Sequence, residues 1–405
     1  MHFNTKAPQA GGVQQDYGAT GVLYDVGSVY EGLSGLTDVR KARGQLYRLE
    51  TVLLIIVLAK LCGEDTPYAI ADWAKNHREQ LVELLQLKRP NMPSHHTLRR
   101  IMARVVYQEE IERLVGTYNQ RGEHGEVYAL DGKAVRGSRP KEAEEGPEYL
   151  LSVYDVQQEK VLSQVPVGRK ENEISRAPEA LNLVEITGKV ITGDALHTQK
   201  RLSAQIVEQG GDYVFPVKEN QLGLYKSIQQ LFAPEYPKPG LGRIQTDFLT
   251  FQKVNKGHGR LEIRTITTSE MLNPYSTWPG LAQVYQLRRE FQWWRSGHPY
   301  RTSDEVEFGI ASLSRTEAAA SRLLNLRRAE WGIETGLHHR RDVTFHEDAT
   351  RMTVGNTGKV MASINNLVIA LIHQAKFRNA AQARRYFDGH LPEAFSLLTT
   401  PFSRP

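Results

Sequence analysis

The sequence contains almost no cysteine. Cys62 is the single cysteine among 405 residues, so the chain cannot form an intramolecular disulfide and offers no CxxC-type zinc site. This composition is typical of a protein that works in a reducing compartment, and we expect a cytoplasmic location. A Gly-rich phosphate loop of the P-loop kind is also absent from the sequence, which argues against ATP use.

Long apolar runs are missing as well. The most apolar stretch, Thr51–Cys62, contains Lys60 and is followed by Glu64. It is shorter than the about 20 residues that a membrane-spanning helix needs, so we expect a buried helix and no membrane partner. Residues 1–30 begin with polar, Gly- and Gln-rich sequence that lacks the apolar segment of a signal peptide, and they predict a flexible tail.

The remaining composition is that of a basic, multidomain protein. A chain of 405 residues has room for two or three domains. Its formal charge of +5 and its pI near 9.0 permit nucleic-acid binding without establishing it.

Residues 31–120 have helical periodicity and predict an α-helical N-terminal domain. Its last basic helix follows a Pro-rich break, with Ser94 as the N-cap. That helix carries a cluster of Arg99, Arg100 and Arg104. Two interpretations stay open: a helix laid against DNA, in the manner of a helix-turn-helix, or the solvated basic face of a surface helix.

Acidic residues end two apolar strands in the next region, residues 121–220. Val127–Leu130 predicts a strand that ends at Asp131. Two more strands and a helix follow, and a fourth apolar strand ends at Asp194. This order predicts an α/β fold with a ribonuclease H-like mixed sheet, in which the first and fourth strands are neighbours. The two aspartates are therefore expected to lie side by side.

Basic residues accompany these strands. Lys133 and Arg136 follow the first aspartate, and a carboxylate flanked by cations suits a metal ion held beside a phosphate. His197 follows the second aspartate, where it orients substrate or caps a helix. Lys218 comes after a fifth strand, where it contacts phosphate or belongs to a solvated loop.

Residues 221–315 alternate as strands do and predict a β-rich insertion before the last catalytic helix. The insertion contains basic and aromatic residues, including His258 and Arg260, which can hold backbone phosphates and stack on bases. Half-exposed strands also favour aromatic residues for packing alone. Residues 316–378 return to helical spacing as the remainder of the core, and residues 379–405 predict a basic C-terminal tail.

A glutamate lies in the second half of the helix predicted after the insertion. Along one face of this helix, Glu334 has Trp331 and His338 one turn away. Arg327 and Arg341 lie two turns away on the same face. The glutamate can therefore share a site with aromatic and basic side chains.

Two aspartates and this glutamate form a three-carboxylate cluster that needs cations. We expect two Mg²⁺ ions about 4 Å apart, for which Mn²⁺ can substitute. Asp131 would bridge the ions, Asp194 would complete one site and Glu334 the other. Such a pair activates a nucleophilic oxygen and stabilises the leaving oxygen during in-line attack on a phosphodiester.

Two alternatives for the ligands concern neighbouring residues. Glu330 competes with Glu334 as the third acidic ligand. The adjacent His338 and His339 suggest zinc, but adjacent residues of a helix point in different directions and no thiol partner is available. The sequence therefore favours carboxylate ligands and magnesium.

A series of longer motifs runs through the chain. In chain order they are LTDVRKARG at Leu36, DGKAVRGS at Asp131, KENEI at Lys170, TGDALHTQ around Asp194, YVFPVKENQ at Tyr213, GHGRLEIR at Gly257, WPGL at Trp278, and WGIE to DVTFHEDATRM from Trp331 to Met352. Over almost its whole length the chain resembles DDE transposases of bacterial insertion sequences, in the branch that includes the H-repeat-associated proteins.

The resemblance implies a function and partners. It implies that Asp131, Asp194 and Glu334 are the catalytic acids, and that cleaved DNA ends are joined to new target DNA. The implied partners are double-stranded DNA, as inverted-repeat ends and as target, and a second copy in a homodimer assembled on DNA. Two other functions stay open: a ribonuclease H-like nuclease without strand transfer, and a catalytically retired DNA-binding protein.

The chain departs from the family pattern near the glutamate. Related enzymes have a Tyr and an Arg just before the glutamate and a basic residue after it. Glu330 occupies the position four residues before Glu334. Arg327 or Arg328 could serve instead, and Arg341 occupies the later basic position.

Overall fold

The structure is a computed structural model that describes residues 14–139, 146–168, 171–233, 247–257, 259–295 and 298–401. These residues form two compact units. The first unit takes the described residues up to Glu123, Val135–Glu148 and those from His339 onward. The second unit takes His124–Ala134 and Tyr149–His338.

Helices and strands occur in blocks along the chain. The strands are β1 (Gln15–Tyr17), β2 (Leu23–Asp25), β3 (Val127–Val135), β4 (Glu148–Asp155), β5 (Lys160–Val167), β6 (Val190–Gly193), β7 (Asp212–Val217), β8 (Leu249–Gly257), β9 (Arg260–Ser269), β10 (Gln283–Arg295) and β11 (His298–Ala311). The α-helices are α1 (Val29–Ser34), α2 (Leu49–Leu61), α3 (Pro67–Asn76), α4 (Arg78–Leu84), α5 (His95–Arg104), α6 (Gln108–Asn119), α7 (Glu173–Asn182), α8 (Lys200–Glu208), α9 (Leu222–Leu231), α10 (Ala320–Ala329), α11 (Trp331–Ile333), α12 (Thr357–Gln374), α13 (Ala380–Gly389) and α14 (Leu391–Thr399). Short 3₁₀ turns lie at Ala42–Gly44, Arg136–Ser138, Ala195–His197, Glu219–Gln221 and Asn273–Tyr275, and π-helical segments at Glu334–His338 and Arg340–Thr344.

Helix α2 lies in the core of the first unit. All of its 13 residues are buried, as expected for a helix that is apolar on every face. Its one buried amine, that of Lys60, lies 3.0 Å from an Asp65 carboxylate oxygen. The prediction of a buried helix is confirmed. Among the described residues, none of the helices combines the length and the apolar character that a membrane span requires.

The two predicted tails contain ordered elements. Residues 379–405 were expected to be a basic tail, but α13 and α14 lie there, and Phe387, Leu391 and Leu398 are buried. Apolar residues recur at helical spacing in both segments, so each helix buries one face. The prediction of a tail is therefore wrong for these two helices. Within residues 1–30, β1 and β2 pair as an antiparallel hairpin, while residues 1–13 lie outside the described part of the chain.

A buried ion pair joins two segments of the first unit. The Arg341 guanidinium is fully buried and donates to both carboxylate oxygens of Glu347, at 2.7 and 2.9 Å. The Asn365 side-chain amide of α12 donates to the same carboxylate at 2.8 Å. Glu347 therefore compensates the buried charge of Arg341, and its own carboxylate accepts hydrogen bonds from both Arg341 and Asn365.

Nine strands of the described chain form one mixed sheet, around which the second unit is built, in the order β5-β4-β3-β6-β7-β11-β10-β9-β8. Strands β3, β6 and β7 are parallel, and β4 and β5 are antiparallel to each other. The first five strands in this list have the ribonuclease H-like order that the sequence predicts. Val127–Leu130 and all of β6 are buried, as expected for parallel strands covered on both faces.

The strands of the predicted insertion extend this same sheet. Strand β11 pairs with β7 in antiparallel register, with Ile310 opposite Phe215. Strands β10, β9 and β8 then follow outward, each antiparallel to its neighbour. The insertion is β-rich as predicted, and its backbone hydrogen bonding is continuous with that of the core.

We predict that Glu347→Ala strongly destabilises the protein. The substitution leaves the Arg341 charge buried without its carboxylate, which costs about 3–5 kcal/mol. The matched control is Glu148→Ala, because Glu148 forms a partly exposed pair with Lys359 at 3.1 Å, and such pairs contribute less than about 1 kcal/mol. Urea unfolding followed by circular dichroism measures both changes, and equal effects would contradict the structural role of the buried pair.

Candidate catalytic centre

The two aspartates lie on neighbouring parallel strands: Asp194 directly follows β6, and Asp131 lies within β3, which continues to Val135 although the sequence predicts that it ends at Asp131. Leu130 of β3 lies opposite Gly193 of β6, so Asp131 and Asp194 follow at the same edge of the sheet. The Gly132 backbone N–H donates to Asp131 Oδ1 at 2.9 Å. The Leu196 backbone N–H donates to Asp194 Oδ1 at 2.9 Å. Strand pairing therefore positions both backbones, and local turns orient both carboxylates.

Glu334 lies at a change of helix type. The sequence predicts one continuous α-helix, but α11 ends at Ile333 and the π-helical segment starts at Glu334. Single π-turns inside helices are frequent at functional sites. On this turn His338 Nδ1 lies 3.2 Å from Glu334 Oε2 and 3.4 Å from Asp131 Oδ2.

Three potential metal ligands meet at this point. One ligand atom each from Asp131, Glu334 and His338 lie within 4.8 Å of one another. The His338 ring is buried and the Glu334 carboxylate is exposed. Two carboxylates and an imidazole are a donor set for a divalent cation: carboxylates suit Mg²⁺ and Mn²⁺, and imidazole suits transition metals. The residues present fit a divalent ion.

The electrostatics of Asp131 also favour a cation. Burial raises the pKa of its carboxyl from the ordinary 3.8 to about 7, and the Gly132 N–H acts in the opposite direction. The negative charges of Glu173 and Asp194 contribute to this raised pKa, and His197 acts against them. A positive ion among these groups would restore the charged form of Asp131.

Glu330, the alternative third acid, is paired with an arginine. Glu330 forms an ion pair with Arg327, whose side chain is buried. Arg327 also donates to both carboxylate oxygens of Glu307, at 2.7 and 3.0 Å. The structure therefore brings Glu334, and not Glu330, to Asp131.

The residues predicted to bind DNA fall into two groups. The exposed ones are Arg99, Arg100, Arg104, Arg136, Lys218, Arg260 and Trp331. The buried ones are Lys133, His197, Arg327, His338 and Arg341, and His258 lies outside the described residues. The buried side chains present little surface to DNA in this structure.

The geometry adds two residues that the sequence left without a role. Glu173 starts α7, and its carboxylate lies 3.3 Å from His197 Nε2. The Tyr149 hydroxyl of β4 donates to the Gly132 carbonyl oxygen at 3.3 Å. The KENEI motif that contains Glu173 was the available signal, but its spacing alone did not connect it to Asp131.

Next to α10 and α11 lies a cavity of about 320 Å³. Its lining is rich in arginine and contains two aromatic residues and two glutamates; the residues are Arg260, Glu262, Arg264, Leu287, Arg289, Phe291, Glu307, Arg327, Arg328 and Trp331. This cavity opens on the sheet face that carries Phe291 and Trp293, whose rings are stacked at 5.9 Å. Arg301 lies 4.7 Å over the Trp293 ring.

Two family models match consecutive parts of the chain. Residues 30–118 match the family model described as DDE_Tnp_1-associated, and residues 122–371 match the one described as transposase DDE domain. The chain is 27% identical over 371 residues to the "H repeat-associated putative transposase YhhI" of Escherichia coli K12, covering 88% of this chain and 95% of that protein. It is 30% identical over 237 residues to "H repeat-associated putative transposase YbfD" of the same organism, covering 58% and 90%. The solved piggyBac transposase synaptic complex with hairpin DNA superposes with a TM-score of 0.42 at 10% identity, over 90% of this chain and 76% of that one.

We predict that Asp131→Asn stabilises the metal-free protein at pH 8. The substitution removes a carboxylate that burial keeps from ionising easily, so the Tm in EDTA should rise by roughly 2–4 °C, the shift that about 1 kcal/mol produces in a domain of about 150–250 residues. Added Mg²⁺ should raise the Tm of the wild-type protein and leave that of Asp131→Asn unchanged. Differential scanning calorimetry measures both, and a variant that still responds to Mg²⁺ would exclude Asp131 as a ligand.

Proposed function

Because the chain belongs to the transposase DDE domain family, we propose that it is a metal-dependent transposase that cleaves DNA at the ends of an insertion sequence and joins those ends to target DNA. The observation that supports this proposal is that ligand atoms of Asp131, Glu334 and His338 lie within 4.8 Å of one another, while Asp194 directly follows β6, the strand that pairs with β3.

The proposed roles follow from the position of each side chain. Asp131 would serve as the shared ligand, while Asp194 and Glu334 would each complete one metal position. His338 lies beside Glu334 and would help to hold the second position. Two Mg²⁺ ions, or Mn²⁺, would when bound activate the attacking oxygen and stabilise the leaving oxygen.

DNA contact is proposed for exposed basic and aromatic side chains within each unit. In the second unit, Arg260 lies 5.3 Å over the Phe291 ring, and the series continues through Trp293 to Arg301. Cations that alternate with aromatic rings can hold phosphates and stack on bases. In the first unit, α5 presents Arg99, Arg100 and Arg104 on the side opposite its buried Leu98 and Ile101, which suits backbone contact. Because two ends are joined, we propose a homodimer assembled on DNA.

We predict that Glu334→Gln and Glu330→Gln have different effects on DNA cleavage. Loss of Glu334 removes a proposed metal ligand, so the single-turnover cleavage rate should fall by at least about 100-fold, the upper range for loss of an outer partner of a metal site. Glu330→Gln should stay within about tenfold of the wild-type rate, because Arg327 keeps both hydrogen bonds to Glu307. The reverse order of the two rates would assign the third acid to Glu330.

Strand transfer is the test of the proposed function. Purified protein, a duplex that carries the inverted repeats flanking its own gene, a target plasmid and Mg²⁺ should yield 3′ ends covalently joined to the plasmid, detected by gel and sequencing. The Asp194→Asn variant is the matched control and should give no joined product.

Two outcomes would replace the proposal. Nicked DNA without joined ends would identify a nuclease without strand transfer. Binding of the repeats with neither cleavage nor joining, in Mg²⁺ and in Mn²⁺, would identify a DNA-binding protein that has lost its chemistry.

A further inference from the structure

Glu173 packs against the residue that follows the first catalytic aspartate. A Cβ atom added at Gly132 would lie 2.5 Å from Glu173 Cδ and 2.5 Å from Tyr149 Cε1. No real side chain tolerates such distances, so glycine is needed there for Glu173 and Tyr149 to approach the backbone of β3. The Tyr149 hydroxyl uses this approach to donate to the Gly132 carbonyl oxygen.

His197 packs against the residue that precedes the second catalytic aspartate. A Cβ atom added at Gly193 would lie 3.1 Å from His197 Cδ2 and 3.0 Å from the Leu130 carbonyl oxygen. The His197 side chain is fully buried, and its Nε2 lies 3.3 Å from Glu173 Oε2 and 4.0 Å from Asp194 Oδ1. Each aspartate therefore has a neighbouring glycine covered by one member of the Glu173–His197 pair.

The carboxyl of Glu173 has a lowered pKa although it is partly buried. Burial opposes ionisation of Glu173, but its contacts with His197 and Tyr149 outweigh that effect and lower the pKa of its carboxyl. Burial, and then the charge of Glu173, raise the pKa of the Tyr149 hydroxyl, so this hydroxyl stays a donor. A charged Glu173 beside Asp131 repels it, which is tolerable where cations are bound.

We infer that Glu173, His197 and Tyr149 form a positioning cluster that sets the separation of Asp131 and Asp194 and thereby the affinity for divalent metal. The inference rests on the proposed metal-dependent function. In this role the three residues act through the backbones of Gly132 and Gly193. In other proteins, residues that do not bind the metal themselves orient the residues that do, and the three residues would act in the same way.

Metal affinity tests this role directly. Glu173→Gln keeps the shape of the side chain and removes its charge, and in the full-length protein it should weaken Mn²⁺ binding, measured by the electron paramagnetic resonance signal of free Mn²⁺, by about 10–100-fold. Glu179→Gln is the matched control, because Glu179 lies on the same helix α7 in a partly exposed pair with Arg176. The control should bind Mn²⁺ as the wild type does.

A double-variant comparison tests whether the cluster acts as one unit. His197→Gln should weaken Mn²⁺ binding by a factor similar to that of Glu173→Gln. The double variant should bind Mn²⁺ about as tightly as the single variant with the lower affinity. Factors that multiply in the double variant would overturn joint action. Should His197→Gln fail to fold by circular dichroism, Tyr149→Phe takes its place, because it removes the single hydroxyl bonded to Gly132.

The failures of this inference and of the proposed function are distinguishable. If the wild type binds Mn²⁺, Asp131→Asn does not, and Glu173→Gln binds as tightly as the wild type, the positioning role is overturned while the metal site stands. If the wild type binds no Mn²⁺, the metal-dependent function itself is overturned.

Discussion

The second unit depends on holding several carboxylates together at one edge of a rigid sheet. Parallel pairing of β3 with β6 brings Asp131 beside Asp194, and burial together with neighbouring negative charge raises the pKa of Asp131 to about 7. Neighbouring like charges destabilise a folded protein unless something compensates them. Backbone hydrogen bonds in the sheet keep the two strands paired, so a divalent cation would compensate this repulsion. The same repulsion that costs stability would then favour binding of the cation.

Glycine next to each aspartate makes this geometry possible. Gly132 and Gly193 leave room for Glu173, Tyr149 and His197 to pack directly on the strand ends. The space that a side chain would occupy is filled by polar groups that can fix the backbone. The two glycines thus allow close contacts with the strand backbone, and we propose that these contacts fix the orientation of the neighbouring aspartates.

Arginine content is a poor guide to the DNA-binding surface of this chain. Arg341 and Arg327 carry the charge expected of phosphate ligands, yet both are buried in ion pairs with glutamates. Desolvation makes each of these charges costly without its partner, so their contribution is to the packing of their own units. The arginines of α5 and Arg260 of β9, in contrast, are exposed.

The sequence by itself determined the buried helix α2, the ribonuclease H-like order of strands, and the position of an acid directly after the buried residues of β3 and of β6, because each follows from local apolar patterns and their order along the chain. The resemblance in its motifs added the proposed third acid, Glu334. Only the tertiary structure decided that the insertion continues the same sheet, that α13 and α14 fold where a tail was expected, that His338 reaches Asp131 and that Glu173 packs against Gly132. Those features depend on strand pairing between distant segments and on a π-helical turn, whose hydrogen bonds from residue i to i+5 change the periodicity from which helix faces are predicted.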